Sequence, residues 1–131
     1  MAHVLIVDDE KSIRVTLSRF LMSEGYDVEV AEDAESAFEC CTKREFDVVV
    51  SDVVLPRVTG IELMHRIKER SPGIQVVVMT GEPTVDTAAE AVRAGAFDYL
   101  AKPINRTAIV KAVASAARVK KLADERQRLA T

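Results

Sequence analysis

The sequence predicts one doubly wound α/β domain. Five short segments rich in Val, Ile, Leu or aromatic residues recur along the chain, each is followed by an amphipathic helical pattern, and the connections are short. Alternating βα units joined so briefly imply parallel strands, right-handed crossovers and helices on both faces of one sheet.

The strand segments are residues 3–7, 27–31, 46–50, 75–79 and 97–100. The helical faces that follow, at i, i+3 or i+4, i+7 spacing, are Ile13, Leu17, Phe20 and Leu21; Ala34, Ala37, Phe38 and Cys41; Gly60, Leu63, Met64 and Ile67; Val85, Ala88, Ala89 and Val92; and Ile109, Ala112, Val113 and Ala116. Gly25, Gly73 and Gly95 fall just beyond the first, third and fourth helices, where a left-handed residue is wanted to close a helix. Residues 4–7, 48–50 and 76–79 are continuously apolar, as strands buried on both faces must be. Val28, Glu29, Val30 and Phe97, Asp98, Tyr99 alternate apolar with charged, which marks the second and fifth strands as edges. The flavodoxin-like order 2-1-3-4-5 puts those two strands at the edges.

With 131 residues, 48% of them apolar, the chain can bury one core and is too short for two ordinary domains. A formal charge of −3 and a pI near 5.4 argue against a nucleic-acid surface. No apolar run approaches the ~20 residues of a membrane span, and no charged-then-apolar leader opens the chain. The expectation is a cytoplasmic chain that contacts neither nucleic acid nor membrane. Cys40 and Cys41 are adjacent, so on a helix they diverge, and both are expected to be reduced core or boundary residues. His3 and His65 have no second histidine or cysteine at ligand spacing.

In open parallel sheets a ligand sits outside the carboxyl ends of the strands. Strand one ends in Asp8, Asp9 and Glu10, strand three in Ser51 and Asp52, strand four in Thr80 and Gly81, and strand five in Lys102 and Pro103. Carboxylates, a hydroxyl and an ammonium, far apart in sequence, are thus gathered at one end. Asp8, Asp9 and Asp52 at close quarters would repel one another unless a cation sat among them, and an all-oxygen set describes Mg²⁺. Such an ion neutralises an incoming phosphoryl group. Asp52, on the central third strand, is the natural nucleophile, since a carboxylate can form an acyl phosphate. Thr80 and Lys102 would hold the remaining phosphoryl oxygens. The bland readings are that Thr80 caps the fourth helix, Tyr99 is edge-strand packing, and Glu10 and Lys11 are first-turn surface residues.

Four stretches carry a resemblance: VLIVDDE at 4–10, VSDVVLP at 50–56 with Gly60 beyond, VMTG at 78–81 and GAFDYLAKP at 95–103. Over about residues 3–120 the chain resembles the receiver family of bacterial response regulators. The resemblance implies an acidic pocket of Asp8 and Asp9, and phosphorylation of Asp52 by a sensor histidine kinase or phosphotransfer domain. It also implies Mg²⁺, for which Mn²⁺ can substitute, held in addition by the backbone carbonyl of Val54. Thr80 and Tyr99 would form a switch pair, the Lys102–Pro103 peptide would be cis, and no separate turnover substrate is expected. Val54 and Glu82 depart from the family's usual residues beside the path of hydrolytic water, which leaves the phosphoryl lifetime open.

The likeness is strongest to receivers of enhancer-binding transcriptional activators. Beyond Ala117 the pattern runs on without a Gly or Pro stop, with Val119, Leu122, Arg126 and Leu129 at 3-4-3 spacing. The expected organisation is a receiver domain at 1–120, with 121–131 extending the last helix into a linker or paired coil toward an effector domain outside this chain. A homodimer is expected through the face of the fourth helix, fifth strand and fifth helix, or through the C-terminal helix. A flavin-binding relative of the fold would want a Ser/Thr/Gly-rich phosphate loop where Asp8, Asp9 and Glu10 stand. An aspartate-nucleophile phosphohydrolase would want a second Asp at position 54, which is Val.

Overall fold

The computed structural model describes residues 2–130, so Thr131 of the expected extension lies outside the described residues. Ten elements alternate: β1 (His3–Val7), α1 (Lys11–Met22), β2 (Asp27–Ala31), α2 (Ala34–Lys43), β3 (Val48–Asp52), α3 (Gly60–Arg70), β4 (Gln75–Thr80), α4 (Val85–Ala94), β5 (Asp98–Ala101) and α5 (Arg106–Ala130). The strands form one sheet in the order β2-β1-β3-β4-β5, parallel throughout, as expected.

Because side chains alternate along a strand, the sheet feeds two cores. Leu5, Val7, Val49, Val76 and Val78 pack toward Ala34, Ala37, Leu63, Met64, Ile67 and Ala91 of α2, α3 and α4. Val4, Ile6, Val48, Val50, Val77 and Met79 face Leu17, Leu21, Ile109, Ala112, Val113 and Ala116 of α1 and α5. Central strands buried on both faces are why the runs in β1, β3 and β4 are continuously apolar.

Four sequence expectations are corrected. β3 lies two residues further on, from Val48 to Asp52, since Asp52 still pairs with Met79; β4 runs on to Thr80, which pairs with Ala101, and β5 is displaced one residue toward the carboxyl end. Asp52 and Thr80 therefore belong to their strands, which fixes them more firmly than loop positions would. Gly25 and Gly95 do take φ of +92°, but Gly73 does not; α3 ends at Arg70 with Ser71 as its cap, and Gly73 lies against the Ala123 side chain of α5. The expected inward face of α4 is also wrong: Val85 is 86% exposed and Val92 72%, while Ala91 is fully buried. Ala at 88, 89, 91 and 94 gives α4 no unique apolar stripe, so its rotation is set by other contacts. Finally, Thr84, not Thr80, caps α4, in a reciprocal capping box with Thr87.

The 25 residues of α5 span about 37 Å at ~1.5 Å per residue. Lys120 is nearly buried, with Nζ 2.7 Å from both Asp124 oxygens and 3.9 Å from Asp47 Oδ1. Val119, Leu122, Arg126 and Leu129 are exposed along the helix. No described helix is long and apolar enough to cross a membrane.

Candidate functional site

At the carboxyl end of β1, Asp8 is fully buried. Its N–H bonds the Ala31 carbonyl at 3.1 Å, Oδ1 accepts the Glu10 N–H at 2.9 Å, and Oδ2 accepts Lys102 Nζ at 2.8 Å. Asp52, 6% exposed, ends β3. Its Oδ1 accepts the Val54 N–H at 3.0 Å, and its Oδ2 accepts the same Lys102 Nζ at 2.8 Å. The parallel register makes this convergence unavoidable, because Val7 lies beside Ser51, one residue short of each carboxylate, and Thr80 lies beside Ala101, one residue before Lys102. The Lys102–Pro103 peptide is cis.

Gly60 allows the loop after β3 to close. A Cβ there would lie 2.1 Å from the Asp52 carbonyl oxygen, so only glycine lets the start of α3 pass behind the nucleophile candidate. Its N–H bonds the Val53 carbonyl at 2.8 Å. In the same loop Arg57 has φ +70° and Val58 N–H reaches back to the Pro56 carbonyl at 2.8 Å, a γ-turn centred on a residue ill suited to it.

Thr80 is buried at the end of β4 and its Oγ1 accepts the Glu82 N–H at 3.1 Å. The Lys102 N–H bonds the Thr80 carbonyl at 2.8 Å, tying β5 to β4 beside the pocket. Tyr99 is half-buried, its hydroxyl 2.6 Å from Thr87 Oγ1 in the α4 cap. The Val54 side chain and Glu82 are exposed.

One expectation was incomplete. Glu10, read as a surface residue, brings a carboxylate oxygen within 4.8 Å of oxygens from Asp8 and Asp9, and those three form one group. Asp52 stands outside that group and is joined to it through Lys102. The i, i+1, i+2 run of acids was visible in the sequence; that the turn folds all three heads together was not.

The electrostatics follow from this geometry. Burial pulls the Lys102 ammonium toward the neutral form, but its hydrogen bonds and charge contacts with Asp52 and Asp8 outweigh that and leave its pKa raised. Two buried carboxylates aimed at one cation, with exposed Asp9 beside them, are a hard-oxygen donor set that suits a divalent ion such as Mg²⁺. The fit rests on that donor chemistry.

Fold and site together define a flavodoxin-like α/β domain with a carboxylate and lysine pocket at the carboxyl edge of its sheet. Residues 4–114 match the response regulator receiver domain family. The chain is 38% identical over 113 residues to response regulator protein FleR of Pseudomonas aeruginosa, covering 86% of this chain and 24% of that one. Among solved structures, a receiver domain protein from Clostridium thermocellum superposes with TM-score 0.87 at 31% identity, covering 93% of this chain and 98% of that one. NtrX from Brucella abortus superposes with TM-score 0.91 at 33% identity, covering 98% of this chain and 30% of that one. The chain belongs to the response regulator receiver domain family and is a receiver domain of the two-component type, with transcriptional regulators among its relatives. It spans 22–26% of the length of the FleR, NtrC and NtrX-like relatives.

Proposed function

We propose that the domain accepts a phosphoryl group on the carboxylate of Asp52 from the phosphohistidine of a sensor kinase or phosphotransfer domain. The observation that carries this reading is the single Lys102 ammonium bonded at 2.8 Å to both Asp8 and Asp52. It marks a point where two buried anions need positive charge and where a third, the phosphoryl group, can be received. Asp8, Asp9, Asp52 and the Val54 carbonyl would hold Mg²⁺, with Mn²⁺ able to substitute. When bound, the ion neutralises phosphoryl oxygens as charge builds in the transition state.

The chain's own groups do the rest. An Asp52 oxygen attacks phosphorus, the phosphorus–nitrogen bond of the donor breaks, and the departing imidazole keeps the electron pair and takes a proton from solvent. Lys102 exchanges a carboxylate partner for a phosphoryl oxygen, and Thr80 Oγ1, already at the rim, donates its hydroxyl hydrogen to another. The product is an acyl phosphate, and no separate substrate is turned over. Thr80 moving inward would free room for the Tyr99 ring, coupling the pocket to the face of α4, β5 and α5. Exposed Val54 and Glu82 flank the approach of water and would set how long the phosphoryl group survives.

The coverage of the relatives supports placing the chain in a longer regulator of transcription, which would work in the cytoplasm. Residues 1–120 would be the receiver, and 121–131 the start of a linker to an effector domain that makes any DNA contact. A homodimer would form through the α4, β5 and α5 face or through the exposed row on α5. Incubation with acetyl phosphate or phosphoramidate and Mg²⁺, followed by intact mass, tests the central claim. Wild type gains one phosphoryl group that hydroxylamine removes, and Asp52→Asn gains none; an equal gain in the variant refutes the assignment.

A further inference from the structure

The carbonyl of Asp8 lies beyond the last paired residue of β1, on a residue with no exposed surface. The hydrogen bond it accepts comes from Arg14 Nη1, at 2.7 Å. Arg14 stands one turn into α1, whose own backbone starts with its N–H bonding the Glu10 carbonyl at 3.1 Å. The guanidinium therefore reaches back over the turn Asp8–Asp9–Glu10 and ties its first residue to the helix that follows.

That turn works against itself. It carries three carboxylates with oxygens within 4.8 Å of one another, and like charges at that range push it open. Four bonds keep it closed: Asp8 N–H to the Ala31 carbonyl, Glu10 N–H to Asp8 Oδ1, Lys102 Nζ to Asp8 Oδ2, and Arg14 Nη1 to the Asp8 carbonyl. Lys102 takes up a carboxylate oxygen, whereas Arg14 grips the backbone of the turn without occupying one. We propose that Arg14 is the positioning residue of the acidic turn, holding Asp8 and Asp9 converged for a divalent cation; this rests on the phosphoacceptor reading above.

Two effects of Arg14 oppose each other, which makes the proposal decidable. As a positive charge it weakens the field that attracts a divalent ion, yet it is half-exposed and water screens that charge. As a clasp it fixes ligand direction, and partners that orient metal ligands are typically worth about tenfold or more in affinity. The clasp dominates.

The test is a Mg²⁺ titration of the whole chain followed by calorimetry and by the backbone amide signals of Asp9, Glu10 and Val54. Arg14→Met should weaken Mg²⁺ binding about tenfold, and Arg14→Lys, which keeps a cationic donor on a slightly shorter stem, should recover part of it. The acetyl phosphate reaction of Arg14→Met should be slow at low Mg²⁺ and approach wild type at saturation, a split that general loosening of the fold would not produce. Unchanged or tighter Mg²⁺ binding by Arg14→Met overturns the proposal. If that variant does not fold, the wild-type guanidinium signals decide. Slowed Nη rotation that responds to Mg²⁺ supports the clasp, and free rotation indifferent to Mg²⁺ refutes it. Wild type that binds no Mg²⁺ at all would instead sink the phosphoacceptor reading.

Discussion

Replacing Lys102 with Met keeps the stem and removes the one cation bonded to both buried acids. Breaking a buried ion pair from one side costs about 3–5 kcal/mol. Here each carboxylate keeps a backbone N–H, from Glu10 to Asp8 and from Val54 to Asp52, and the lysine side chain is itself 14% exposed. The lower end is therefore expected, about 3 kcal/mol. With an unfolding entropy of ~2.1 cal/mol/K per residue, that lowers Tm by about 10 °C. Urea and thermal unfolding of wild type, Lys102→Met, Asp52→Asn and the double variant measure it. The loss should shrink by at least about 1 kcal/mol in the Asp52→Asn background, where one stranded charge is gone. Mg²⁺ at about 100 times its Kd should return up to ~2.7 kcal/mol to a variant that still binds it. The pH dependence has a fixed sign. The folded Lys102 pKa is raised, so its contribution is fully present below the unfolded lysine pKa and is lost as pH rises through the folded value. The gap between wild type and Lys102→Met should hold across neutral pH and close only in strong alkali. A loss under about 0.5 kcal/mol, or one of equal size in both backgrounds, would refute this account of the pocket.

Gly60→Ala places a Cβ 2.1 Å from the Asp52 carbonyl; it should cost about 2–3 kcal/mol and abolish the mass gain with acetyl phosphate. Thr87→Val removes the hydroxyl that serves both Tyr99 and the α4 capping box, with an expected loss of about 1–2 kcal/mol. The chain has 2 tyrosines and no tryptophan, so in a Tyr26→Phe background tyrosine fluorescence reports Tyr99 alone. An unchanged signal on Thr87→Val would show that the hydroxyl contact is not kept in solution. Arg57, at φ +70°, should be replaceable by Gly without loss, and Arg57→Gly should exceed Arg57→Val in unfolding free energy by more than about 1 kcal/mol.

Fold class, strand order and the gathering of polar strand ends along one sheet edge were all legible in the amino-acid sequence. Those properties are written in local signals: unbroken apolar runs in β1, β3 and β4, alternation in β2 and β5, and polar residues directly after apolar strands. A parallel sheet leaves the carboxyl ends on one edge, so Asp8, Asp52, Thr80 and Lys102 had to lie along it once the strands were recognised.

How those ends come together is a matter of tertiary packing. That one ammonium spans Asp8 and Asp52, that Glu10 joins the acidic group, and that Arg14 turns back to the Asp8 carbonyl all depend on side-chain directions, which periodicity does not encode. The same holds for α4. Its alanines leave several rotations nearly equal in buried apolar area, and the contacts of Thr87 and Ala91 with the sheet select the one that leaves Val85 and Val92 in water. A helix with one wide apolar stripe announces its orientation; one built of small residues waits for its neighbours to choose it.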